Sequence, residues 1–332
     1  MPYNALYYPY IDPPNRATLA TAMLYWDRLY TIVPASMGEP YRLPASRIAA
    51  DLGFLRARSV TSDCEQVGKA SEEFLNDYGR KVIAKDMRSA QRIGNEQVRL
   101  HVEKMTQGLV DAIVRHRRVD RLGFHEVASK IAAPYMSRLA TIVAESDGTT
   151  LLTDRTLSQN AALDRYVEGL RSKVAQRHEA ILAMLSLRTI RMPPSTSLAD
   201  LWAFREEHYG ELVAYRRAIR NLARQAGVVE DVDELESRFQ QIVRDEVRPA
   251  EERVTVKLQE AKFDAGLCFT EAGAVGAVAL AASGGRLLPG LAAAGVRLVF
   301  SVCRWRIAED RLRREPFAYL CHARQRFQFE ED

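Results

Sequence analysis

The periodicity of the chain changes near Ser158, and that change constrains the fold more than any single motif. Upstream, short apolar runs with the two-residue period of strands alternate with segments at helical spacing; downstream no run reads as a strand. Ala5 to Tyr10 is an aromatic-rich strand stopped at Pro13 and Pro14, which cannot donate to a ladder. Thr18 to Arg28 reads as a helix, Leu29 to Pro34 as a second strand, and Ser46 to Phe54 and Lys69 to Ser89 as further helices. Val98, Leu100 and Val102 alternate with polar neighbours as a third strand, and Thr106 caps a helix reaching about His116. His125 to Glu145 is helical in pattern despite Pro134, and Ser146-Asp147-Gly148 ends it before a strand from Thr149 to Asp154. Strands separated by helices predict a small sheet that is at least partly parallel.

Past Ser158 the apolar positions Leu163, Tyr166, Val167, Leu170, Val174, Ile181, Leu182 and Leu185 mark a long amphipathic helix ended by Met192-Pro193-Pro194. Ser197 with Asp200 opens a second helix to about Ala226, and a third begins at Asp231 and is kinked or restarted at Pro249. The expected fold is therefore mainly α. It comprises a small α/β N-terminal unit at 1–156, a bundle or arm of long helices at 157–265, an apolar Gly/Ala-rich helical hairpin at 266–303, and a basic C-terminal helix and tail at 304–332.

At 332 residues the chain is long enough for two domains, and 47% apolar residues exclude global disorder. Lys and Arg number 47 against 43 Asp and Glu, so the charge balance does not mark nucleic acid as a partner. Cys64, Cys268, Cys303 and Cys321 show no CxxC spacing, which suits unpaired thiols in the cytoplasm. The N-terminus carries no signal-peptide pattern.

Each arm of the hairpin spans about 17 residues, near the short limit for crossing a bilayer. Gly266, Gly273 and Gly276 in the first arm and Gly290 and Gly295 in the second allow close helix approach, with Gly284 and Gly285 at the turn. Glu271 and Arg297 are costly in lipid unless paired, and an antiparallel fold about Gly284 sets them opposite each other. Trp305 and the arginines beyond Cys303 resemble an interfacial flank. A buried soluble hairpin and an oligomerisation hairpin are the competing readings. The inner membrane, a partner protein or a second copy of the chain are the partners these readings imply.

Two sets of polar residues invite chemistry. Asp12, Glu103, Lys104 and Asp154 follow expected strands, where carboxylates converging on Mg²⁺ would suit a nuclease. Arg205, Glu207, His208 and Glu211 form a charged stretch on the second bundle helix. Their spacing could present ligands but lacks the paired histidines of HExxH, so an ion-pair or interaction face is the plainer reading and neither metal nor cofactor is expected. No phosphate-binding glycine loop or GxSxG motif occurs.

The blocks LYYPYIDPPN, LYWDRLYTIVP, PYMSRLATIVAESDGTTLLTD, FREEHYGELVAYRRAIRNL, the small-residue hairpin and PFAYLCHARQRF together resemble an uncharacterised bacterial protein family of unknown function. The resemblance implies no activity, cofactor or catalytic residue, and points only toward bacterial accessory or antiphage-defence proteins. With the hairpin it yields the leading expectation: a cytoplasmic effector, peripheral to or inserted in the inner membrane, that disturbs it. A metal-dependent nuclease and a non-enzymatic helical interaction partner are the alternatives.

Overall fold

In the computed structural model, strand β1 (Asn4–Tyr7) lies at the centre of everything that positions the site. The structure describes residues 3–8, 10–13, 16–79, 83, 97–114, 120–152, 179, 182, 183, 187, 196–225, 237, 238, 240–257 and 315–327. β1 pairs in parallel with β2 (Arg28–Pro34), Ala5 opposite Leu29, and on its other edge with β6 (Thr150–Leu152), Leu6 opposite Leu151. β2 pairs in parallel with β3 (Leu55–Val60), giving the order β3-β2-β1-β6. Among the described residues the protein is thus mainly helical around a small parallel sheet, with a separate two-stranded antiparallel sheet.

Alternation along the central strand sorts its side chains between two cores. Ala5 and Tyr7 enter one cluster and Leu6 and Tyr8 the other, as the two-residue period of a strand buried on both faces requires. On the first face lie α1 (Arg16–Tyr25) and α2 (Pro44–Asp51), together with α6 (Leu198–Glu207), α7 (Tyr209–Gln225) and the C-terminal helix α9 (Ala318–Phe327). On the second lie α3 (Glu65–Tyr78), α4 (Gln107–Val114), α5 (Ser129–Asp147) and the antiparallel pair of β4 (Gln97–His101) and β5 (Phe124–Ala128). α1 is buried from Thr18 through Tyr25, which fits a helix wedged between the sheet and the later helices. The first core therefore runs from Ala5 to Phe327 and joins both ends of the described chain.

Several elements depart from the expectation. The strand at Val98 does not join the parallel sheet; it pairs antiparallel with β5, Leu100 opposite His125. β5 itself occupies residues that read as the start of a helix, which begins only at Ser129. β3 was not foreseen at all, since its LRARSV carries arginines on an outer strand. The second bundle helix is two helices broken at His208. Pro249 does not restart the third: helical residues 240–257 (α8) run through it, with a π turn at Val243–Val247 just before the proline. The hairpin at 266–303 lies outside the described residues, as do Asp154 and Trp305. Among the described residues no helix is long and apolar enough to cross a membrane.

Candidate metal centre

The break between α6 and α7 builds the site. Ser197 caps α6, its hydroxyl accepting the Asp200 N–H at 3.0 Å, and the helix runs until His208 leaves the helical region at φ −103° and ψ 23°. The His208 N–H still donates to the Phe204 carbonyl, while the His208 carbonyl already accepts the Leu212 N–H. His208 is thus the elbow of two successive helices, and Glu211 falls in the first turn of the second, where the helix dipole favours a carboxylate.

α9 runs antiparallel to this pair. Phe317 and Tyr319 meet Tyr215 on α7, with ring centroids 6.2 and 5.9 Å apart, and Phe327 meets Phe204 on α6 at 5.1 Å. This register brings His322 to the elbow. Its Nδ1 is 2.7 Å from Glu211 Oε2, and His208 Nδ1 is 3.1 Å from the same oxygen. The two imidazoles stand 5.0 Å apart, and one ligand atom from each of the three residues lies within 4.8 Å of the others.

The environment is largely closed. The Glu211 side chain is 4% exposed and the two imidazoles 13% and 14%. Phe204 packs at a tilt against His208 at 4.4 Å and Tyr319 at 5.4 Å, making an apolar wall. Burial pushes the Glu211 carboxyl up, but the contacts with His208 and His322 and their positive charge outweigh it and hold the group at about 2. His208 Nδ1 is buried and faces Glu211 Oε2 at 3.1 Å. Two ligand atoms on a tetrahedral ion with bonds of about 2.0–2.1 Å sit about 3.3 Å apart. The observed N···O separations of 2.7 and 3.1 Å are shorter than that value, so the His322 contact in particular would open by about half an ångström around an ion.

Of the residues singled out in the sequence, His208 and Glu211 meet here. Glu207, one residue before the elbow, is exposed. Arg205 is buried at 3% exposure and turns away, bonding Asp27 and Glu206. Asp12 serves the backbone: the N–H groups of Arg42 and Leu43 donate to its Oδ2 at 2.7 and 2.8 Å, just ahead of α2. Glu103 follows β4 of the small antiparallel sheet yet still reaches the carboxyl end of the parallel sheet, where its Oε2 accepts the Ser36 N–H at 3.0 Å. His322 was not singled out. It lies 111 residues from Glu211, so no spacing rule within one helix could find it; a histidine in a terminal helix otherwise rich in apolar residues was the available signal.

The set is two imidazoles and one carboxylate, without a thiolate. It matches the donors of catalytic sites that hold a divalent ion by three protein ligands and leave a position for water. Comparison with protein-family models, with curated proteins and with solved structures returned no match, so the site's own chemistry carries the functional reading.

Proposed function

We propose that this protein is a metalloprotein in which His208, Glu211 and His322 hold one divalent first-row ion of the zinc class, and that the ion serves Lewis-acid, hydrolytic chemistry. The observation that carries the reading is the convergence of three ligand atoms on one point from an elbow and from a helix 111 residues away. Neither residue pair along the chain would do this alone. Three protein ligands leave coordination open for a water or a substrate oxygen, and such an ion lowers the pKa of bound water to about 7. The partial exposure of both imidazoles supplies access, while the buried carboxylate supplies charge.

Chelator-stripped protein titrated calorimetrically with Zn(II), Co(II) and Mn(II) tests the reading. One ion per chain is expected to bind. His208→Ala, Glu211→Gln and His322→Ala should each weaken binding by at least 100-fold. Hydrolysis of activated phosphate and carboxylate esters should be lost with the ion and restored with Zn(II). A stripped protein that takes up no stoichiometric ion overturns the reading, and one that binds the ion but hydrolyses no ester overturns its catalytic half.

A further inference from the structure

Asp27 sits just before β2, at the amino end of an inner strand of the parallel sheet, yet it reaches both helices of the elbow. Its Oδ1 accepts from Arg205 of α6 and, at 2.9 Å, from Arg216 of α7. Its Oδ2 accepts the Tyr3 N–H at 2.7 Å, so the carboxylate is held by the sheet unit from the other side. Both arginines are buried, Arg205 at 3% and Arg216 at 2% exposure.

Each arginine is also fixed by aromatic rings. The Arg205 guanidinium lies 4.7 Å from Trp202 and 5.7 Å from Tyr209, the residue that follows His208. That of Arg216 lies 4.4 Å from Tyr3, and its Nε donates to the Tyr25 carbonyl at 2.8 Å. Arg205 precedes the elbow by three residues, and Arg216 follows Glu211 by five. One carboxylate therefore ties the two helices on opposite sides of the residues that carry the ligands.

We propose that Asp27 is a positioning residue for the His208–Glu211–His322 centre: through Arg205 and Arg216 it fixes the angle between α6 and α7, and with it the placement of the His208 and Glu211 ligand atoms. This rests on the metal reading above. It adds that the geometry of the centre is set from the parallel sheet, by a residue that touches no ligand. Outer partners that orient metal ligands typically change affinity by 10–100-fold when removed. Asp27 acts one step further out, on the helices rather than on the imidazoles, so the lower end of that range is expected.

Co(II) binding followed by its visible spectrum separates positioning from general weakening. Asp27→Asn keeps the shape of the side chain and removes its charge; about a 10-fold weaker Co(II) affinity and a shifted visible band are expected. Leu139→Ala, a destabilising change in the second core on α5, serves as the control for general weakening, and it should bind Co(II) with the affinity and spectrum of the unchanged protein. Should Asp27→Asn fail to fold, Arg216→Lys decides, because it keeps the charge and loses the two-pronged geometry; the expected loss is again about 10-fold with a shifted band. Failure of the unchanged protein to bind Co(II) at all would defeat the metal reading itself. Normal binding there, with an unaltered affinity and spectrum in the folded variant, would overturn the role of Asp27 alone.

Discussion

Single buried polar groups carry much of this molecule's chemistry, and Lys104 is the clearest case away from the metal centre. It follows β4 in a short 3₁₀ turn and is 4% exposed, and burial pushes its amine down to about 7. An unfolded lysine holds its proton to about 10.4. Between those values the unfolded chain binds more protons than the folded one, so this group makes stability rise with pH across that window. Lys104→Met should remove the slope and add on the order of a few kcal/mol at pH 7, read from urea melts between pH 6.5 and 9.5. A variant with the slope of the unchanged protein would show that the amine is not deprotonated on folding. Lys104 itself was visible in the sequence as a charge after a strand. Its burial was not, because β4 gains its cover from β5 and α5, which come later in the chain.

Among the elements, the antiparallel β4–β5 pair shows how a tight turn ahead of one strand helps to hold its register. Asp120 Oδ1 accepts the N–H groups of Leu122 and Phe124 at 2.8 and 2.9 Å, and Gly123 turns the chain at φ +80°. A Cβ at Gly123 would lie 2.6 Å from His101 Nε2, on the strand opposite. Gly123→Ala is therefore expected to cost about 1–3 kcal/mol, measured as a lower urea midpoint with an unchanged slope. β5 escaped detection for a physical reason. Phe124, Val127, Ala128 and Ile131 stand at helical spacing, so the strand and the start of α5 share one apolar pattern. β1, β2 and β6 were legible because their composition is strand-like without help from neighbours. The N-cap at Ser197 was equally local: the Ser-to-Asp spacing predicted a capped helix start, and the hydroxyl accepts the Asp200 N–H there.

At the scale of the whole molecule, the chain ends meet in one core. Leu320 and Tyr319 of α9 are fully buried beside Leu24 and Trp26, and the Tyr319 hydroxyl donates to the Leu24 carbonyl at 2.8 Å. α9 is thus part of the support of the N-terminal sheet, as well as the carrier of His322. Leu320→Ala should cost about 2–5 kcal/mol. Because the core is shared, Trp26 fluorescence and far-ultraviolet circular dichroism should report the loss at one common midpoint; two separate transitions would show that the sheet and the later helices unfold independently.

Alternating apolar residues, proline stops and capping side chains act through the backbone of their own segment, so β1, β2 and β6 of the parallel sheet, most of its flanking helices and the helical character of the later chain were readable along the sequence. His208 and Glu211 were readable in the same way, as neighbours on a charged helix. Their meeting with His322 was not, since nothing within either segment states which helices will pack or in what direction. That choice comes from apolar faces fitting together, with Phe204, Tyr215, Tyr319 and Phe327 setting α9 antiparallel against the elbow. A three-ligand centre built on that register could appear only once the chain had folded.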